Sequence, residues 1–96
     1  MRRGLKIRLT KETGRLISKF HPETKKLIKA ALKELQTDPH VGHDLEEELS
    51  GFKSFRVKRY RIVYKINEEE NTLDIYYAGH RRDVYEQFRL MLAKLS

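Results

Sequence analysis

Cysteine is absent from the 96 residues of this chain, which excludes disulfide bridges and thiolate metal sites. Proline is scarce. Its two copies, Pro22 and Pro39, fall where a helical pattern begins and shortly after that pattern ends. Long apolar runs are missing as well: nothing approaches the roughly 20 residues that a membrane-spanning helix needs. Arg2 and Arg3 lead into no apolar segment of the kind a secretory signal carries. A cytoplasmic protein with no membrane partner is the expectation. Internal repeats, low-complexity tracts and interdomain linkers are also lacking, so residues 1–96 read as a single domain with a small core.

One further absence is local. Between Phe52 and Lys65 there is no aspartate or glutamate, whereas Lys53, Arg56, Lys58, Arg59, Arg61 and Lys65 all lie there. The chain as a whole carries a net charge of +7. A small basic domain implies a polyanionic partner: nucleic acid, an acidic protein or an anionic surface. Within the acid-free stretch apolar residues alternate with cations, Phe55 and Val57 in one run and Ile62, Tyr64 and Ile66 in the next. That period of two predicts two strands, each with one buried and one wet face. With Lys58 set opposite Arg61, Arg56 falls opposite Val63. Arg56, Lys58 and Arg61 then share one face, and Phe55, Val57, Ile62 and Tyr64 share the other. Any even-length connection keeps this parity. Cations held so close repel one another, and a phosphate would relieve them. A solvated strand face with scattered Lys and Arg has the same pattern, so both readings stay open here.

Leu5, Ile7 and Leu9 alternate with Lys6 and Arg8 as a short strand. Thr10 can cap a helix with Glu12 in its first turn and Leu16, Ile17 and Phe20 at helical spacing, weakened by Gly14. A second helix opens at Pro22, carries Leu27, Ile28, Ala31, Leu32 and Leu35 on one stripe, and stops at Asp38–Pro39. The two helices are expected as an antiparallel pair packed on a sheet. In the connector, His40, His43 and Asp44 match no strong ligand spacing, so no metal is expected. Asp44, Glu46, Glu47 and Glu48 read as an exposed turn anchored by Leu45 and Leu49. After a polar turn from Asn67 to Asn71, Leu73, Ile75 and Tyr77 alternate with Asp74 and Tyr76. Gly79 is expected to end that strand with a sharp change of direction. Asp83 can cap a last helix whose apolar set is Val84, Phe88, Met91, Leu92 and Leu95. The order β-α-α-β-β-β-α predicts an α+β domain, a small antiparallel sheet with its helices on one side.

Taken together, LSGFKSFRVKRYRIVYKI and YAGHRRDVY resemble the RelE/ParE superfamily of toxins from type II toxin–antitoxin pairs. The likeness runs through nearly the whole chain. It includes the Leu35–Asp38–Pro39 helix end, the Leu49–Gly51 turn, the Tyr60–Arg61–Ile62–Val63–Tyr64 strand and the corner from Gly79–His80–Arg81 to Tyr85. It implies a RelE-like microbial RNase fold. A RelE-type member would cut messenger RNA in the ribosomal A site, by attack of a ribose 2′-hydroxyl on the adjacent phosphate, and so inhibit translation. A ParE-type member of the same fold would poison DNA gyrase, so side chains rather than fold separate the two. On the RelE pattern the two alternating basic positions are Arg56 and Lys58, where RelE itself has lysine first. Arginine cannot act as a base near neutral pH, so of these two only Lys58 keeps that option. The later matches are Arg61, Arg81 and Tyr85, and His80 stands where some relatives use a histidine.

Such cleavage needs a base for the 2′-hydroxyl, stabilisation of charge on the phosphate, and an acid for the leaving 5′-oxygen. Arg61 and Arg81 suit the phosphate. His80 suits either proton transfer, Lys58 is the alternative base, and Tyr85 can stack on a splayed base or move a proton. Plainer roles exist too: a strand-end histidine for His80, packing against Phe88 for Tyr85. Lys53, Arg56, Arg59, Lys65 and Arg82 are the expected RNA contacts, which would make binding strongly salt-dependent. The resemblance also implies a cognate antitoxin, with messenger RNA and the ribosome as further partners, and no cofactor. Two other readings stand beside the nuclease: a ParE-like gyrase inhibitor, and a basic module that only pairs with an antitoxin.

Overall fold

The computed structural model describes residues 5–80, 82 and 84–95. The predicted cap at Asp83, the predicted site cation Arg81 and the side chain of Leu95 lie outside the described residues. Strand β1 (Lys6–Leu9) leads through helix α1 (Lys11–Ser18) into helix α2 (Pro22–Thr37). Thr10 accepts a hydrogen bond from the Thr13 amide at 3.1 Å, the cap that starts α1. Pro22 occupies the first turn of α2 and the helix ends before Asp38–Pro39, because the residue before a proline avoids the helical region. The chain then runs through β2 (His43–Asp44), a 3-10 turn (Glu47–Leu49), β3 (Lys53–Val57), β4 (Tyr60–Asn67) and β5 (Thr72–His80) to α3 (Val84–Leu95).

The five strands form one sheet in the order β1-β5-β4-β3-β2. The pairs β2–β3, β3–β4 and β4–β5 are antiparallel, as links too short for a crossover require. β1 instead lies parallel to β5, from Lys6 opposite Thr72 to Leu9 opposite Ile75, so the sheet is mixed. The α+β class holds. The expectation of helices on one side does not. Ile28, Ala31, Leu32 and Leu35 of α2 bury one face of the sheet with Ile62, Tyr64, Leu73, Ile75 and Ala78. Val84 and Phe88 of α3 bury the opposite face with Val63, Tyr77 and Leu49. α1 lies against β5 and α2 against β1 and β3, and Ile17 of α1 joins the cluster that α2 buries. A central strand covered on both faces must be apolar on both, and β5 is buried along almost its whole length.

A bulge in β5 sets where its later residues point. Val63 pairs with Tyr77 but Tyr64 pairs with Ile75, leaving Tyr76 as the extra residue. Leu73 and Ile75 face α2, as the alternation predicted, but Tyr76 and Tyr77 both turn to the α3 side and Ala78 returns to the α2 side. Gly79 does not end the strand, which continues to His80. A Cβ at Gly79 would lie 2.7 Å from Cε2 of the Tyr77 ring, so glycine stands there for space rather than for a turn. Among the described residues, no helix is long and apolar enough to cross a membrane.

Candidate active site

Strands β3 and β4 are joined by only two residues, Lys58 and Arg59. The pairs are Val57 with Tyr60, Arg56 with Arg61, Phe55 with Ile62 and Ser54 with Val63. This register is two residues away from the predicted one. The shift keeps the parity, so Arg56 and Arg61 do share a face, and they stand directly opposite each other. Lys58 is the correction. It lies in the turn rather than across from Arg61, with φ +54°, a left-handed backbone that costs a lysine energy. The Arg56 Nε donates to the Lys58 carbonyl at 3.4 Å, which ties the arginine to the turn.

The face that carries Arg56 and Arg61 is the α3 side of the sheet. Arg61 Nη1 donates to Ser54 Oγ at 3.1 Å, and Tyr85 Oη donates to the same oxygen at 3.2 Å. Ser54 is fully buried, while Arg61 and Tyr85 are half-buried and Arg56 is exposed. Tyr85 reaches this place because α3 crosses that face, with Phe88 one turn further on seated in the core. Gly79 is the β5 partner of Arg61, and the Tyr77 ring from the same strand fills the space over that glycine. Among the described residues, ion pairs hold Arg8 to Glu70 and Asp74, Arg15 to Glu12, Lys53 to Asp44 and Arg89 to Glu48. Arg56 and Arg61 belong to none of them. Two arginines at opposed strand positions, near the hydroxyls of Ser54 and Tyr85 and ion-paired to no acid among the described residues, make a positive surface suited to an anion.

The other predicted site residues do not all converge here. His80 pairs with Tyr60 and stacks edge-on against its ring at 5.9 Å. Tyr60 in turn packs against Phe20 at 5.7 Å, so His80 faces the α2 side, away from Arg61. Lys53 also belongs to that side, opposite Tyr64, and its ammonium is bound to Asp44 at 2.7 Å. That bond holds the Asp44 carboxyl below the usual carboxylate range. Lys65 shares the face of Arg61 but lies four residues along β4, about 13 Å away at a strand's rise. Its ammonium sits 5.2 Å from the Phe52 ring centroid. Arg59 is exposed at the hairpin tip, and Arg82 is exposed with its amide donating to His80 Nδ1 at 3.4 Å. Arg81 cannot be set in this geometry, lying outside the described residues. Two residues went unnoticed as site members in the sequence. Ser54 had only its parity with Arg56 to mark it, and the role of Gly79 depends on a bulge that no local pattern shows. Among the described residues, no group of three or more His, Cys, Asp or Glu side chains gathers to hold a metal ion.

Known proteins share this arrangement of elements. A family model described as the ParE toxin of type II toxin–antitoxin system, parDE, matches residues 9–85. Toxin RelG of Mycobacterium tuberculosis is 32% identical over 83 residues, covering 84% of this chain and 95% of RelG. A chain of the toxin–antitoxin complex RelBE2 from the same organism aligns with a TM-score of 0.74 at 31% identity, over 81% of this chain and 99% of that one. A mutant E. coli RelE toxin in the free state aligns with a TM-score of 0.76 over 95% of this chain and 96% of that one. Its 13% identity makes it a likeness of fold alone. With the matched family model, the similar toxin sequence and the RelE-like sheet and helices in agreement, the chain belongs to the RelE/ParE superfamily of type II toxin–antitoxin toxins.

Proposed function

We propose that this toxin is an endoribonuclease that cuts translated messenger RNA in the ribosomal A site, by attack of a 2′-hydroxyl on the adjacent phosphate. The observation that carries the reading is the opposed pair Arg56 and Arg61, free of any carboxylate among the described residues. Arg61 and Arg56 bind the phosphate and stabilise the charge that builds on its oxygens. Tyr85, whose hydroxyl lies beside Arg61 through Ser54, moves a proton or stacks on the displaced base. Lys58 at the hairpin tip serves as the base, because His80 faces the other side of the sheet. Arg81 adds a third guanidinium on the strength of the family resemblance. Arg59 and Arg82 contact the RNA backbone from the rim, with Lys65 further along the strand. Lys53, paired with Asp44, does so only if that ion pair opens.

A cognate antitoxin silences the protein until it is released. Its docking surface includes the outer face of α3, where Leu90 is 54% exposed. The protein's place of work, with the ribosome, is the cytoplasm.

The test adds purified protein to programmed ribosomes and reads cut messenger by primer extension. Wild-type protein is expected to cut. Arg61→Ala is expected to lose about 100-fold or more of the rate, the scale of losing a donor to a developing oxyanion, with its circular dichroism unchanged. Retained cleavage in folded Arg61→Ala removes Arg61 from the mechanism. The matched family model is that of ParE toxins, so a gyrase supercoiling assay runs in parallel. Gyrase inhibition without messenger cleavage would favour the ParE-type reading, and neither activity would leave a basic module that pairs with an antitoxin.

A further inference from the structure

Two groups of the proposed site give their hydrogen bonds to a single atom. Ser54 Oγ receives Arg61 Nη1 at 3.1 Å and Tyr85 Oη at 3.2 Å. We propose that Ser54 is a positioning residue, whose buried hydroxyl holds the Arg61 guanidinium and the Tyr85 phenol together as one unit. The catalytic consequence rests on the nuclease reading above.

The reference point itself is fixed. Ser54 is fully buried in β3, paired on one side with Val63 of β4 and on the other with His43 of β2. Both donors belong to other elements, β4 and α3, and one of them is a long side chain with several rotors. Sharing one acceptor keeps them at most about 6 Å apart, close enough for both to touch one phosphodiester. Among the described residues no carboxylate pairs with Arg61, so Ser54 supplies an orientation that an acid would otherwise supply at the cost of cancelling the charge. An uncharged acceptor directs the guanidinium and leaves its field for the substrate. Without that acceptor Arg61 regains its rotamers, and the geometry needed at the transition state must be found anew in each turnover.

Ser54→Ala removes the oxygen and almost nothing else. In single-turnover cleavage on saturating ribosomes, its rate is expected to fall about 10–100-fold, the scale seen when a metal ligand loses the hydrogen bond that orients it. Its RNA affinity should stay within about threefold, because phosphate attraction depends on charge that is still present. Combining it with Tyr85→Phe should slow the reaction by less than the product of the two single losses, since both cut the same link. Side-chain nitrogen NMR of Arg61 reads the link with no substrate: guanidinium rotation is expected to be slow in wild type and fast in Ser54→Ala. Should Ser54→Ala not fold, Ser54→Cys keeps a weaker acceptor of similar size and is expected to give intermediate rotation and rate. Folded Ser54→Ala that cuts within about twofold of wild type, or unchanged Arg61 rotation, overturns the proposal. Wild-type protein that cuts no messenger overturns the nuclease reading alone, and the rotation measurement then still judges the link between Ser54 and Arg61.

Discussion

At Lys58 the backbone adopts φ +54° in a two-residue turn, a place where glycine is the comfortable residue. A lysine held there costs on the order of 1 kcal/mol. Strain kept at one residue of a basic site is a reason to look for use of its side chain. Lys58→Gly is therefore expected to raise stability by about 0.5–1 kcal/mol, seen as a higher urea midpoint, while messenger cleavage falls. A variant that gains stability and keeps full activity would take Lys58 out of the mechanism. The fully buried Tyr64 shows the opposite case, a side chain used for structure. Its hydroxyl donates to the Pro39 carbonyl at 2.7 Å and accepts from the Gly42 amide at 3.1 Å, pinning the loop after α2 to the sheet. Burial pushes its phenol above the usual range.

Among the elements, β5 has the most to say about the site. Its bulge at Tyr76 rotates everything after it, so that Gly79 rather than a larger residue stands opposite Arg61, and His80 is carried to the far side. The Tyr77 ring fills the space beside Gly79, and a methyl group there would meet the ring at 2.7 Å. That ring is buried against Phe88, 6.4 Å between centroids, and has little freedom to swing aside. Gly79→Ala is expected to cost about 1–3 kcal/mol by overpacking. In a Tyr77→Leu background the same change should cost less, because the clash has been removed. Urea unfolding of the four proteins measures both effects, and equal costs in the two backgrounds would contradict this account of Gly79.

At the scale of the whole molecule, several acids among the described residues fasten one element to another. Arg8 of β1 is bound to Asp74 of β5 through Nε and Nη2, both at 2.9 Å, and to Glu70 at 2.8 Å. Burial opposes ionisation of Asp74, but the bonds from Arg8 and Thr72 outweigh it and hold its carboxyl below the usual range. Glu48 is likewise lowered, by its own backbone amide and by Arg89. A carboxyl lowered in the folded state adds stability that is full above its unfolded value, near pH 4, and is lost as pH falls through the folded value. Stability is thus expected to hold from neutrality to about pH 5 and then decline in acid. Asp74→Asn should lower stability at neutral pH and flatten part of that decline. Urea midpoints measured across the range check it, and an unchanged acid limb in Asp74→Asn would rule out Asp74 as a main contributor. With the acids protonated, 21 lysines and arginines remain to repel one another.

Much of this protein was legible in its sequence because it depends on neighbours a few residues apart. Period-two alternation marked β3, β4 and β5. A cap at Thr10 started the first helix, and Pro22 and Asp38–Pro39 marked the start and the stop of the second. A short even connection was enough to bring Arg56 and Arg61 to one face, since side-chain parity survives any shift by two. Only the tertiary structure decided the rest. The seat of β1 beside β5, the crossing of α3 to the opposite face, the bulge that turned His80 away and the burial of Ser54 all depend on contacts between segments distant in the chain. Such contacts are chosen by which faces can be covered together, and no local pattern of residues records that choice.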